Sequence, residues 1–378
     1  MKTILFILSV VLTLVWLAWR RRLPPVRAYG FVDAIVPAYN EELCIIDTVK
    51  GLMKNPYFNR VIVVNDGSTD RTLPLLNLLA IQYPRLTVIH QENTGKGGAL
   101  MAGVAATKAP MVFLTDADTI LPADGDGIGY LMAEIKDGAD AVGGLPSSNL
   151  AGAGLLPHIR ATCKDPMIVT MRTFQQIVGG APFIVSGACG LFRTKVLRAV
   201  PFSDRTKVED LDLSWSLVDK GYDLRLSSRC IVYSQECNNI KAEWLRWRRW
   251  IVGYAVCMRL HRKMLLTRYG LFTIMPMFLV VVFGIAAFVI KMTPVLLDTD
   301  IARVPVVLFP FLWVLASFAI ATISALHHRR FWLIPLAPVG ILYLLGVYLI
   351  WFLHGLPAFL SGREPERDKP TRYVNVVG

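Results

Sequence analysis

Two aspartates one residue apart, Asp116 and Asp118, close the hydrophobic run "PMVFLTDADTI". Carboxylates at i and i+2 leaving a strand project to the same side, and their mutual repulsion calls for a cation or ligand. Mg²⁺ or Mn²⁺, held by one or two carboxylates together with substrate phosphates, suits this spacing. The plainer alternative is an acidic turn with Asp118 solvated. Three other polar motifs also follow apolar runs. "PAYNEE" at residues 37–42 reads as a ligand loop or as a helix start with Asn40 at the N-cap. "VVNDGSTD" at 63–70 places Asp66 at a strand tip, with acceptor geometry for a base N–H, beside an Asp-Gly turn. "NTGKGGALMAG" from Asn93 sets Lys96 among Gly95, Gly97 and Gly98. It lacks P-loop spacing, yet glycines and a lysine at a helix N-terminus suit an anionic ligand. "PADGDG" at 122–127 also has two aspartates, but its glycines read as a turn.

The elements that must hold these motifs are legible in the periodicity. "FVDAIVPAYN", "RVIVVND", "LTVIH" and "PMVFLTD" are strand-like, and helix-compatible stretches separate them. Such alternation predicts an α/β fold, Rossmann-like, with right-handed crossovers and a mostly parallel sheet. Ligands of such sheets bind at the carboxyl ends of the strands, where the polar motifs fall.

The chain has 378 residues, 54% hydrophobic and 18% charged, with a net charge of +12. This is too apolar for an ordinary soluble protein. Apolar blocks at 4–19, 269–290, 304–326 and 331–353 approach the length of a bilayer span. The first precedes Arg20, Arg21 and Arg22 and has neither the charge order nor the cleavage site of a signal peptide, so it reads as an uncleaved anchor. The positive-inside rule then places the chain beyond Arg20 in the cytoplasm. "HHRR" at 327–330 fits a cytoplasmic turn, and Pro335, Pro338 and Gly340 make the last block broken or re-entrant. The resulting division is an anchor at 1–22, a catalytic domain at 23–240, an interfacial helix at 241–265, a membrane region of about three spans at 266–360 and a basic tail at 361–378. Six cysteines without C-x-x-C spacing read as reduced thiols.

"RWRRW" at 246–250 lies in a stretch that reads as a helix over 241–263. Helical spacing puts Arg246, Arg249 and Trp250 on one face, with Trp244, Trp247, Ile251 and Met258 on an opposite, apolar side. Such a helix suits the bilayer interface, with Arg259, Arg262 and Lys263 near anionic headgroups.

"PAYNEE", "VVNDGSTD", "NTGKGGA" and "TDAD", in this order and approximate spacing, resemble family 2 glycosyltransferases of the GT-A fold. "VSGACGLFR" at 185–193 is similar to the acceptor-side segment of membrane N-acetylglucosaminyltransferases and of hyaluronan and chitin synthases. "KVEDLDLSW" at 207–215 resembles their TED motif, with Val208 in place of threonine, and "RWRRW" resembles their Q/R-x-x-R-W motif. The resemblance covers most of residues 31–253. It implies a nucleotide-sugar site at Pro37, Tyr39, Glu41, Asp66, Lys96 and Asp116, with Mg²⁺ or Mn²⁺ on Asp118. The general base would be Asp210, with Glu209 and Asp212 as competing carboxylates. Gly187, Arg246, Arg249 and Trp250 would serve the acceptor and the diphosphate. One base without a second carboxylate nucleophile implies inversion by single displacement.

The implied partners are a UDP-sugar donor, a glycan or lipid acceptor, membrane lipids and no nucleic acid, with room for an export partner. The implied location is the cell membrane, with the catalytic domain cytoplasmic. Polyprenyl-phosphate and ceramide-type glycosyltransferases share parts of the pattern and stay as alternatives. A basic polyanion-binding protein leaves the ordered acidic motifs unexplained.

Overall fold

The computed structural model describes residues 23–122, 125–276 and 329–363, together with residues 318, 322, 325 and 326. The expected anchor, most of the spans at 269–290 and 304–326, and nearly all of the basic tail lie outside the described residues.

Strand and helix alternate as the periodicity predicts: β1 (Val32–Ala38), α1 (Ile45–Lys54), β2 (Phe58–Asp66), α2 (Thr72–Gln82), β3 (Leu86–Gln91), α3 (Gly95–Ala106) and β4 (Met111–Leu114). β1 pairs in parallel with β2 and with β4, and β2 in parallel with β3. The chain thus winds outward from β1 to β3 and returns to the other side of β1, which makes a topological switch point between β1 and β4. In sheets of this kind the ligand crevice lies there, at the carboxyl ends of the strands.

The sheet continues through β5 (Thr119–Ile120), α4 (Gly127–Lys136), β6 (Ala141–Ser148), α5 (Leu155–Pro166), β7 (Gly190–Arg193), α6 (Thr194–Ala199), α7 (Glu209–Asp219) and β8 (Leu224–Ser234). Among the described residues its order is β3-β2-β1-β4-β7-β6-β8-β5. β7 runs antiparallel to β4 and β6, and β5 to β8, so the sheet is mostly but not wholly parallel.

Both faces of the sheet are covered, which is why the central strands read as continuous apolar runs. Ile35, Ile62 and Val64 pack with Leu100 of α3 and Trp215 of α7. The alternate residues Val36 and Val63 pack with Ile45, Leu52 and Leu76 of α1 and α2 on the other side. At Gly103 of α3 an added Cβ would lie 2.4 Å from Ile35 Cγ2. That close approach lets α3 lie against β1 and sets its first residues at the crevice.

The helix carrying "RWRRW", α8 (Ile240–Leu260), starts where Asn239 Oδ1 accepts the Ala242 N–H at 2.8 Å. Its C-terminal half packs inward. Ile251, Val252, Ala255, Val256, Cys257 and Met258 are buried, in one core cluster with Val347, Ile350, Trp351 and Ala358 of the C-terminal segment. Trp247 does not oppose Trp250: their rings meet edge to face at 5.4 Å, because positions i and i+3 are neighbours on a helix.

A 3₁₀ turn at Phe331–Leu336 precedes α9 (Ala337–Ile350), so the apolar block does break near Pro335 and Pro338. Among the described residues, the one helix long and apolar enough to cross a membrane is Leu342–Ser361, displaced from the expected 331–353. Residues just after 266 pack on the catalytic domain, with Arg268 Nε donating to the Val178 carbonyl at 2.8 Å.

Candidate active site

The loops at the carboxyl ends of the strands are tied to one another before any ligand arrives. Asn40 takes a left-handed conformation (φ 52) and its Oδ1 accepts the Thr69 N–H at 2.7 Å. Its own N–H donates to Ser68 Oγ at 2.9 Å. Asn40 therefore bridges two loops, and the N-cap position of α1 falls to Cys44. The Glu41 N–H donates to Thr72 Oγ1 at 2.7 Å, and the Glu42 N–H to Asp70 Oδ2 at 3.2 Å. Asp66, buried at the tip of β2, accepts through Oδ1 from Gln91 Nε2 at 2.8 Å and from the Thr94 N–H at 2.9 Å. One of its oxygens thus fixes the approach to α3. Pro37 lies within β1 opposite Val64, Glu41 is buried, and Tyr39 sits half-exposed at the rim.

Four motifs distant in sequence meet beyond these loops. Lys96 Nζ is 2.7 Å from Asp116 Oδ1 and 3.4 Å from Glu209 Oε1. The Gly187 N–H donates to Asp210 Oδ2 at 3.0 Å, and the Leu211 N–H to Asp210 Oδ1 at 3.0 Å. A Cβ at position 187 would stand 3.0 Å from Lys96 Nζ, so glycine there permits the convergence. Burial pushes the Asp210 carboxyl above its ordinary range and Glu209 adds to this. Lys96 and the Gly187 amide oppose the rise without cancelling it. A carboxylate held in place by two amides, with its proton affinity raised, has the properties a general base needs.

Asp118 is buried, and its carbonyl accepts the Gln235 N–H at 3.3 Å. Asp116 and Asp118 offer the hard oxygen ligands that Mg²⁺ and Mn²⁺ take. Among the described residues no three His, Cys, Asp or Glu side chains form a complete metal cage. Phosphate oxygens and water would therefore have to complete the coordination of a cation.

Asp212, the competing carboxylate of the sequence reading, has partners of its own. It binds His261 Nε2 at 2.7 Å, Arg205 Nη2 at 2.7 Å and Ser203 Oγ at 2.5 Å. Arg246 also has partners other than the diphosphate expected for it. Its Nη2 lies 2.8 Å from Glu236 Oε2 and also bonds Glu243. Glu236 takes Lys164 Nζ at 2.6 Å and Ser148 Oγ at 2.7 Å as well. Arg160 pairs with both carboxylates, 3.0 Å from Glu236 through Nε. Tyr343 of α9 donates to Glu243 and accepts from Trp247 Nε1. Trp250 lies under two cations, with Arg160 5.2 Å and Arg246 5.6 Å from its ring centroid. Arg249 occupies the same half-buried stretch of α8. Glu236, Glu243, Arg160 and Lys164 went unnoticed in the sequence because they belong to no motif.

The family model described as Glycosyl transferase family 2 matches residues 33–200. The uncharacterized glycosyltransferase YaiP of Escherichia coli (strain K12) is 54% identical over 378 residues, covering 100% of this chain and 95% of that protein. The poly-beta-1,6-N-acetyl-D-glucosamine synthase of Staphylococcus aureus (strain COL) is 27% identical over 226 residues, 59% of this chain and 54% of that protein. In structure, the mannosyltransferase PcManGT of Pyrobaculum calidifontis, solved with GDP-mannose and Mn²⁺, aligns with a TM-score of 0.50 at 18% identity. The alignment covers 89% of this chain and 95% of that one, a likeness of fold. With the α/β architecture and the crevice at the strand ends, these matches identify the chain as a nucleotide-sugar-dependent glycosyltransferase that belongs to glycosyl transferase family 2.

Proposed function

We propose that the chain transfers a sugar from a UDP-sugar, with inversion, to a hydroxyl of a glycan or lipid acceptor at the cytoplasmic face of a membrane. The observation that carries this reading is Asp210, half-buried, fixed by the Gly187 and Leu211 amides and raised in proton affinity. The acceptor hydroxyl attacks the anomeric carbon, Asp210 takes its proton, and the bond to the diphosphate breaks on the far side. Lys96, at the N-terminus of α3, faces the charge that develops on the leaving group. Asp118, with Asp116, would hold Mg²⁺ or Mn²⁺, and the cation when bound screens that same charge. Pro37, Tyr39, Glu41 and Asp66 border the crevice where the nucleoside would lie. The membrane assignment is supported by the apolar helix Leu342–Ser361. The similarity to a poly-beta-1,6-N-acetyl-D-glucosamine synthase supports a growing glycan as the acceptor.

The test is release of UDP by purified full-length protein in detergent, with a panel of UDP- and GDP-sugars and either Mg²⁺ or Mn²⁺. Asp210→Asn is expected to lower kcat by roughly 100- to 10,000-fold, the usual worth of a general base, while UDP still binds. Full activity in that variant overturns the base assignment. Turnover confined to GDP-sugars overturns the donor.

A further inference from the structure

One arginine of "RWRRW" leaves α8 on its own side. A helix turns about 100° per residue, so Arg248 stands about 200° from both Arg246 and Trp250, away from the side that meets Glu236 and Arg160. Half-buried, it faces the end of the C-terminal segment instead.

That end is α10 (Leu356–Ser361), held against α8 at several points. A Cβ added at Gly355 would stand 2.9 Å from Ile251 Cγ2, so the two backbones approach closely there. Arg259 Nη1 donates to the Phe359 carbonyl at 3.3 Å and also to that of Leu360. Gly362 then closes the helix in a left-handed conformation (φ 71), as glycine commonly does after a helix, and Arg363 comes to the same cleft as Arg248.

The cleft has a volume of about 220 Å³. Arg248, His354, Ser361 and Arg363 line it, with Val252 and Leu353 as apolar wall. The His354 ring is braced edge to face by Trp244 at 6.0 Å. Two guanidiniums, a hydroxyl and an imidazole converge, and no acid is among the described lining residues. Guanidiniums pair with phosphate oxygens through parallel N–H bonds. The space is below the ~300–1,000 Å³ of sites for whole drug-sized ligands, which suits a headgroup rather than a sugar nucleotide. Leu353 also belongs to an exposed apolar stripe with Leu345, Leu349, Phe352, Leu356 and Leu360. The stripe runs along the helix that is long and apolar enough to cross a membrane. A free phosphate would leave the stripe in water, and a purely apolar ligand would strip water from two arginines. A phosphate joined to hydrocarbon satisfies both surfaces.

We infer that this cleft binds the phosphate headgroup of an anionic membrane phospholipid, with the acyl chains lying along the stripe. Basic pockets beside membrane helices take anionic headgroups by the same attraction. The site is separate from the sugar-transfer crevice. It rests on the proposed membrane location and not on the role of Asp210.

The experiment titrates full-length protein in dodecyl maltoside micelles with dioleoyl phosphatidylglycerol, dioleoyl phosphatidylcholine or glycerol 3-phosphate, and reads bound ligand by native mass spectrometry. Phosphatidylglycerol should bind about tenfold or more tightly than phosphatidylcholine, whose choline cation the arginines repel. Glycerol 3-phosphate should bind far more weakly than either. Arg248→Gln should weaken phosphatidylglycerol about 10- to 100-fold, the worth of a lost hydrogen bond to a charged group. Arg363→Gln, at an exposed position where folding is not at stake, should weaken it in the same direction. Arg262→Gln, an exposed arginine outside the cleft, should change it by no more than about twofold. Equal affinity for both lipids, equal loss in all three variants, or glycerol 3-phosphate binding as tightly as phosphatidylglycerol overturns the site. Flotation with phosphatidylcholine vesicles checks the membrane reading separately. Protein that does not float removes both inferences, whereas protein that floats but fails the titration removes the cleft alone.

Discussion

Glu236→Gln isolates the buried charge cluster under "RWRRW", because Gln keeps the volume of Glu and removes only the charge. The Glu236 carboxylate lies 2.6 Å from Lys164, 2.8 Å from Arg246 and 3.0 Å from Arg160, and its side chain is 1% exposed. Burial disfavours its charge, but these three cations outweigh burial and hold the carboxyl well below the usual range. A carboxyl lowered by folding contributes its full stabilisation above the unfolded value and loses it only as pH falls through the folded one. At pH 7 the contribution is therefore complete. In the variant, Arg160 and Arg246 keep Glu243 as a carboxylate partner, and Lys164 loses the carboxylate it bonds.

Removing one partner from a buried pair costs about 3–5 kcal/mol. Lys164 limits the damage, since burial already lowers its proton affinity and it can shed its charge. At roughly 2–4 °C per kcal/mol for a domain of this size, the melting temperature should fall by about 6–20 °C. Differential scanning fluorimetry in detergent at pH 7 measures this. Adding Lys164→Met should restore part of the loss, with a coupling of about 0.5–3 kcal/mol. A single variant melting within about 2 °C of the wild type would refute the claim that the cluster holds α8 in place.

The Gly187→Ala substitution sets a Cβ 3.0 Å from Lys96 Nζ and 3.5 Å from Asp210 Oδ2. It should lower kcat about 10- to 100-fold through misplacement of reacting groups with the fold intact by circular dichroism, and unchanged kcat would detach the loop from the base. Asp118→Ala should abolish the strengthening of UDP binding by Mn²⁺ in calorimetry, whereas persistence of that strengthening would move the metal elsewhere. At Asp212, burial acts to raise the carboxyl, but bonds from His261, Ser203 and Arg205 prevail and hold it at about 2. Its contribution of about 2 kcal/mol is full above the unfolded value of ~3.9 and fades as pH falls through the folded one. The melting curves of wild type and Asp212→Asn should therefore differ at pH 7 and converge toward acid, and a constant gap would argue against the network.

The order β1-α1-β2-α2-β3-α3-β4 was legible because each element is short, periodic and bounded by its own turn residues, so local sequence decides it. The pairing of Lys96 with Asp116 and Glu209 was legible only as membership of motifs, since no local signal says that residues so far apart share a crevice. "RWRRW" shows where local reading fails. An arginine that faces headgroups and one that faces two carboxylates have the same composition around them. The difference lies in Glu236 before the helix, Arg160 and Lys164 on α5, and Tyr343 on α9, none of which carries a pattern.

The crevice is thus built in two ways. One side is made of strand-end loops that hydrogen-bond one another, and these leave motifs. The side facing the C-terminal helices is made of isolated long side chains on α5 and α8. Their charges must be matched across tertiary contacts, so a single substitution there is expected to act first on assembly.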